Sequence, residues 1–108
     1  MQFDDVRIFA AAVDTGSFTA AAGKLLLSKQ FVSRRIASLE ASLGVRLLVR
    51  NTRKLTVTES GREFYAHAQR ILDDVVHAEQ AMARRRTELH GTLRISTPMS
   101  FGLRHLSP

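Results

Sequence analysis

The feature that most constrains the fold is a helical pattern that runs from residue 59 to residue 89 without a proline. Apolar side chains recur in it at alternating four- and three-residue steps, at Phe64, Ala68, Ile71, Val75, Ala78 and Met82. This spacing is that of a coiled-coil seam, which a lone helix cannot bury. Because exposed apolar stripes usually mark an interface, we predict a linker helix over residues 59–89 whose seam, these six side chains, forms a homodimer interface.

Three shorter helical segments precede the long one. The residues expected to begin them are Asp4 or Asp5, Ser17 and Ser28, and the residues expected to end the first and the third are Gly16 and Gly44. Val32, Ile36, Leu39 and Leu43 form the apolar side of the third helix. The second and third helices are joined by a turn of about three residues. This arrangement is typical of a helix-turn-helix, which we place at about residues 18–37.

Residues 46–58 depart from the helical period. Leu47 to Val49 and Leu55 to Val57 read as two short strands around a polar tip, and Thr58 is a favourable cap for the long helix. The predicted fold class is therefore mainly α: a winged helix-turn-helix over residues 1–58, with three helices and a two-stranded wing, followed by the dimerisation helix.

The net charge of +6 is concentrated in one segment. Residues 28–58 carry one acidic residue, Glu40, and the basic residues Lys29, Arg34, Arg35, Arg46, Arg50, Arg53 and Lys54, while the rest of the chain is neutral on balance. A dense basic patch suits a polyanion such as double-stranded DNA, because each neutralised phosphate releases counterions. Charge alone also fits an ordinary solvated face.

The amino-terminal part of the third helix carries the side chains expected to read DNA, namely Ser28, Lys29, Gln30, Phe31, Ser33 and Arg34. In a major groove, Gln30 can pair with adenine, Arg34 with guanine, and Ser33 with a base or a phosphate. Lys29 suits a phosphate. Phe31 either contacts a thymine methyl or belongs to the core.

The wing tip supplies a second set of candidate DNA contacts. Arg53 could enter a narrow minor groove, with Arg50, Thr52 and Lys54 on the flanking backbone. The alternative is a solvated hairpin without a binding role.

Other function classes lack support in the sequence. The absence of cysteine excludes disulfides, thiolate zinc sites and cysteine nucleophiles, and no glycine cluster forms a phosphate-binding loop. The four histidines, His67, His77, His90 and His105, show no metal-ligand spacing with a carboxylate. No apolar run is long enough to cross a bilayer. We expect a cytosolic protein that is not an enzyme and binds no cofactor, metal or membrane.

The sequence resembles the LysR-type transcriptional regulators over essentially its whole length. The resemblance rests on FAAAVDTGSFTAAAGKLLLS, on VSRRIASLEASLGVRLLVRNTRKLTVTESGREFY, and on GTLRIS after the long helix. It implies a bacterial regulator that binds interrupted palindromes as a dimer or a higher oligomer such as a tetramer. The chain departs from the family pattern at Lys29, Gln30 and Phe31, where glutamine and then proline or another small residue are common, and at Leu48, where phenylalanine is common.

The resemblance also implies an effector domain of the periplasmic-binding-protein type. Residues 90–108 are expected to be the truncated start of that domain, through which alone a small-molecule effector would bind. Two rival functions stay open: a helical oligomerisation module whose basic segment only maintains solubility, and an architectural protein that binds DNA without sequence preference.

Overall fold

The computed structural model describes residues 1–51 and 54–91. Within them the chain forms α1 (Phe3–Thr15), α2 (Phe18–Leu25), α3 (Lys29–Leu43), β1 (Leu48–Arg50), β2 (Leu55–Val57) and α4 (Glu59–Gly91). This is the predicted order of elements. The chain divides into two compact units, Met1–Asp74 and Val75–Pro108. The first unit therefore continues past residue 58, the predicted end of the winged domain.

The start of α1 differs from the prediction. Its N-cap is Gln2, not Asp4 or Asp5. Asp5 lies in the first turn, where its Oδ2 accepts a hydrogen bond from the backbone N–H of Gln2 at 3.1 Å. Asp5 thus acts as the third residue of the helix in a capping box and not as the N-cap itself. Its side chain is also buried, where Arg35 of α3 binds it.

The helix-turn-helix itself is bounded by the predicted residues. The Oγ of Ser17 accepts from the N–H of Ala20, and the Oγ of Ser28 accepts from the N–H of Phe31, both at 3.1 Å. Gly16 and Gly44 end α1 and α3 in the left-handed conformation that glycine adopts at little cost. Local capping chemistry is therefore sufficient to define these bounds.

The core lies between α1, α2, α3 and the beginning of α4. Phe9 is fully buried, and its ring meets that of Phe64 edge to face, with centroids 5.2 Å apart. Ala68 is also fully buried in this cluster. Tyr65 donates a hydrogen bond from its hydroxyl to Asp14, which joins α4 to the end of α1. The first turns of α4 thus belong to the same core as the helix-turn-helix.

The wing is an antiparallel hairpin in which Leu48 pairs with Val57 and Arg50 with Leu55. Its first strand begins one residue later than predicted, at Leu48 rather than Leu47. The residue after Val57 is Thr58, which caps α4, so the ladder ends at the Leu48–Val57 pair. The N–H groups of Leu47 and Leu48 both donate to Oε2 of Glu40 in α3, at 2.7 and 3.0 Å. Glu40 thereby fixes the wing to the third helix.

Thr58 joins the wing to α4, as its predicted role of cap requires. Its Oγ1 accepts from the N–H of Gly61 at 2.9 Å and donates to the carbonyl of Arg46 at 2.7 Å. Gly61 lies so close to the residue before β1 that an added Cβ would be 2.1 Å from the carbonyl oxygen of Leu47. The helix start and the strand can approach this closely only because residue 61 has no side chain.

Candidate nucleic-acid interface

The beginning of α3 presents a short polar surface. Lys29, Gln30 and Arg34 are exposed, and Ser33 is half-buried beside them. Ser28 is exposed too, but its hydroxyl already accepts the capping hydrogen bond. Of the four residues expected on the apolar side of the helix, Val32, Ile36 and Leu39 are buried, while Leu43 lies at the exposed carboxyl end of α3. The predicted recognition face is thus accessible to a large ligand.

Phe31 belongs partly to the core, and its predicted contact with a thymine methyl stays a prediction. Its side chain is half-buried and packs against the hydrophobic core, so only part of the ring is available to a ligand. The guanidinium carbon of Arg34 lies 5.8 Å from the ring centroid, within the range of a cation–π contact. Phe31 therefore limits where the Arg34 side chain lies.

The wing brings further cations to the same side of the domain. Arg50 and Lys54 are exposed, and the hairpin tip is closed by a hydrogen bond from the N–H of Lys54 to Oδ1 of Asn51 at 2.8 Å. The other two predicted wing contacts, Thr52 and Arg53, lie outside the described residues. Their roles remain predictions.

An open depression connects the wing to the helix-turn-helix. It is lined by Gly16, Ser17, Phe18, Thr19, Lys29, Arg50, Asn51, Lys54 and Leu55. Lys29 at the start of α3 and two cations of the wing, Arg50 and Lys54, therefore border one surface. None of Lys29, Arg34, Arg50 and Lys54 is ion-paired with a carboxylate in the part of the chain that the structure describes. Their charges can act on an external polyanion.

Two cations of the basic segment have carboxylate neighbours within the chain. Arg35 donates from Nε and Nη2 to the two carboxylate oxygens of Asp5 at 2.8 and 3.0 Å, and this bond holds the pKa of Asp5 below its usual range. Arg46 lies 3.7 Å from Glu40. The surface available to a polyanion is smaller than the sequence count of basic residues suggested.

The predicted dimer seam is divided between two roles. Ala68 is fully buried within its own chain, so its assignment to an interface between chains is wrong. Phe64 and Ile71 pack partly against the same core. The seam prediction missed this because an apolar stripe does not reveal which neighbour covers it. Val75, Ala78 and Met82, in the second unit, remain as predicted interface residues; Met82 is 59% exposed.

Sequence reasoning did not find how three residues hold the interface in place, namely Asp5, Glu40 and Gly61. Asp5 and Arg35 are 30 residues apart, and no local spacing connects them. Glu40 was visible only as the single acid among the basic residues of its segment. Its isolation among basic residues was the one signal that the sequence offered for it.

The described residues contain neither a candidate metal site nor a candidate membrane span. No three His, Cys, Asp or Glu side chains come together in a group that could hold a metal ion. None of the described helices has the length and apolar content needed to span a bilayer.

Comparison with protein families identifies one match over more than half of the chain. Residues 3–62 match the family described as bacterial regulatory helix-turn-helix protein, lysR family. Among curated relatives, an HTH-type transcriptional regulator of Xanthomonas campestris pv. campestris is 41% identical over 105 residues, which are 97% of this chain and 30% of the relative. DmlR of Escherichia coli is also 41% identical over 105 residues, 97% of this chain and 34% of DmlR. The chain thus spans about a third of the length of these relatives.

Two similar solved structures are DNA complexes. The BenM DNA-binding domain with catB site 1 DNA has a TM-score of 0.75 and 37% identity, over 78% of this chain and 93% of that one. The DNA complex of the CbnR DNA-binding domain has a TM-score of 0.71 and 35% identity, over 82% and 99%. These likenesses confirm the predicted winged helix-turn-helix fold.

Proposed function

The chain belongs to the LysR family of bacterial regulatory helix-turn-helix proteins, and from that premise we propose that it binds double-stranded DNA sequence-specifically as a transcription regulator. The observation that carries the proposal is the surface shared by α3 and the wing. There, Lys29, Arg34, Arg50 and Lys54 lie without carboxylate partners within the described residues. A cationic surface that includes the amino end of an exposed helix suits a major groove and its flanking phosphates.

In this proposal α3 reads base edges. Gln30 and Arg34 are exposed and carry the side chains that pair in a bidentate manner with adenine and guanine. Ser33, half-buried, reaches a base or a phosphate only at close approach. Ser28 and Lys29, at the start of the helix, bind phosphate. The exposed part of Phe31 suits a thymine methyl next to the base that Arg34 contacts.

The wing contributes contacts outside the major groove. Arg50 and Lys54 bind the DNA backbone, together with Thr52. Arg53 enters the minor groove, where the potential is most negative over A·T-rich sequence.

DNA binding also implies that the protein acts in the bacterial cytoplasm, and this function requires no catalytic residue.

The protein acts as a homodimer on a site with two-fold symmetry. Val75, Ala78 and Met82 form the part of the seam that does not contribute to the helix-turn-helix core. Two copies related by a two-fold axis bind half-sites spaced by about one helical turn or a multiple of it. The proposed effector domain begins after the end of α4 at Gly91, so the predicted boundary at residue 90 moves past that helix; residues 92–108 lie outside the described residues. A small-molecule effector acts through that domain.

Selection of bound duplexes from a random pool tests sequence specificity. We expect one enriched motif with two-fold symmetry. On that duplex, Gln30→Ala and Arg34→Ala should each weaken binding by about 1–3 kcal/mol, and much less on random DNA, because base-edge pairs exist only on the selected site. Asp4→Asn, a change to an exposed carboxylate of α1, is the matched control and should leave affinity nearly unchanged.

The two rival functions give different results in the same experiment. An architectural protein would retard every duplex in gel electrophoresis, but selection from the random pool would enrich no motif. A helical oligomerisation module would retard no duplex in gel electrophoresis at moderate salt. Equal losses for Gln30→Ala on selected and random DNA would reduce that residue to a backbone contact.

A further inference from the structure

Arg50 is held against an aromatic ring. It is the last residue of β1, and its guanidinium carbon lies 4.6 Å from the centroid of the Phe18 ring. At this distance the cation is attracted by the negative face of the ring, and the planar guanidinium can stack on it. The contact joins the wing to the first residue of α2.

The ring that supports Arg50 is itself fixed. Phe18 is 8% exposed and belongs to the buried core with α1 and α3. Phe18 is the first residue of α2, and the preceding residue, Ser17, caps that helix. A guanidinium stacked on such a ring has few alternative positions, whereas a free arginine side chain samples many rotamers.

Arg50 also stands at the junction of the two elements proposed to contact DNA. It lines one depression with Ser33 of α3 and a second with Lys29 and Lys54. Within residues 1–51 and 54–91, no carboxylate pairs with it. Its charge is therefore available between the recognition helix and the wing tip.

We propose that Phe18 is a positioning residue for DNA binding: its ring holds Arg50 in place for the backbone phosphate that lies between the segments contacted by α3 and by the wing. The inference rests on the proposed function. Because the ring already orders the Arg50 side chain, that side chain loses less rotamer entropy when it binds a phosphate. The ring therefore increases DNA affinity without touching DNA.

A double-mutant cycle tests this coupling on the selected duplex. Phe18→Leu keeps an apolar side chain but removes the ring, and it should weaken binding about threefold to tenfold when Arg50 is present. In the Arg50→Ala background the same change should have almost no effect on affinity. Phe9→Leu is the matched control: Phe9 is a buried core phenylalanine, but its ring contacts Phe64 and not Arg50. Its effect on affinity should be the same in both backgrounds.

A measurement on the unsubstituted chain complements the cycle and does not depend on the folding of a variant. In the NMR spectrum of the free protein, the side-chain protons of Arg50 should be shifted upfield of their usual positions, because they lie over the face of the Phe18 ring. The side-chain protons of Lys54 should show no such shift. Additive losses in the cycle, or an unshifted Arg50, would overturn the inference while leaving the proposed function intact. If the wild-type chain retards no duplex even at low salt, the proposed function fails and the inference fails with it.

Discussion

At the residue scale, two cations of the same segment differ in role according to their partners. Arg35 and Arg50 belong to the same basic segment, yet Arg35 is bonded to the buried Asp5 while Arg50 stacks on Phe18 with its charge free of carboxylates in the described part of the chain. Sequence counting treats the two as equal. Only the three-dimensional partner separates a cation that stabilises the fold from one that can bind a ligand.

The Asp5–Arg35 pair predicts how stability depends on pH. Because Arg35 lowers the pKa of Asp5 in the folded state, the ionised carboxylate stabilises the fold above the ordinary aspartate pKa of about 4, and this contribution is lost as pH falls through the lowered value. Asp5→Asn should be less stable than wild type to urea near neutral pH. The difference should narrow on acidification below pH of about 4.

The neighbouring carboxylate provides the control for that titration. Asp4 lies 3.4 Å from Arg7, but its side chain is 66% exposed, and exposed pairs contribute little to stability. Asp4→Asn should therefore change urea stability only slightly at any pH. If the difference in urea stability between wild type and Asp5→Asn stayed constant between neutral and acidic pH, the ionised Asp5 would not be the source of that stability.

Leu26 is a second residue whose local conformation has a measurable consequence. It ends α2 with a φ of 59°, in the left-handed region, and 90% of its surface is exposed. A side chain with a Cβ is disfavoured there by about 1–2 kcal/mol, and this exposed leucine gains little from burial in return. Leu26→Gly should raise the free energy of unfolding by about 0.5–1 kcal/mol, measured by urea denaturation.

Leu26→Ala distinguishes the backbone effect from the removal of an apolar surface. Alanine keeps the Cβ and with it the unfavourable left-handed conformation, so this variant should show no comparable gain. If alanine stabilised the chain as much as glycine, backbone strain would not be the cause.

At the element scale, the sequence predicted what local chemistry controls and missed what distant partners control. The bounds of α2 and α3 follow from Ser17, Ser28 and Gly44, which act within one turn of their own helix. The attachment of the wing to α3 depends on Glu40, which lies seven residues before Leu47, and no local pattern predicted it. The exposed polar face of α3 was predictable for the same local reason, while the contact between Arg50 and Phe18 was not.

The junction of β1 and α4 gives the clearest prediction at this scale. In Gly61→Ala, the new Cβ would lie 2.1 Å from the Leu47 carbonyl oxygen and 2.8 Å from Cγ1 of Val57, so the helix start and the strand must separate. We expect a loss of about 1–3 kcal/mol or more in the free energy of unfolding. DNA affinity should fall too, since the wing depends on this junction.

Gly23→Ala is the matched control within α2. A Cβ at residue 23 meets nothing within 4 Å, and alanine is a better helix former than glycine. This variant should be more stable by about 0.5–1 kcal/mol in thermal or urea unfolding. Equal destabilisation by the two substitutions would show that close approach at Gly61 is not what matters.

At the scale of the whole molecule, α4 serves two purposes along its length. Its first turns complete the helix-turn-helix core through Phe64 and Ala68. The second unit continues the apolar repeat with Val75, Ala78 and Met82, and Met82 remains largely exposed. A single helical period can thus encode a buried face within one chain and a proposed interface between two chains.

Val75→Asp tests the interface where the seam leaves the core. A carboxylate buried in an apolar helix pair without a partner costs several kcal/mol, so the variant should be a monomer at concentrations where the wild-type chain is a dimer in light scattering. His77→Asp, which places the same group at an exposed position off the seam, should remain dimeric. Because half-sites are bound together only by a dimer, Val75→Asp should also lose tight binding to the symmetric duplex while keeping weak binding to a single half-site. A dimer of unchanged affinity would place the interface elsewhere on the chain.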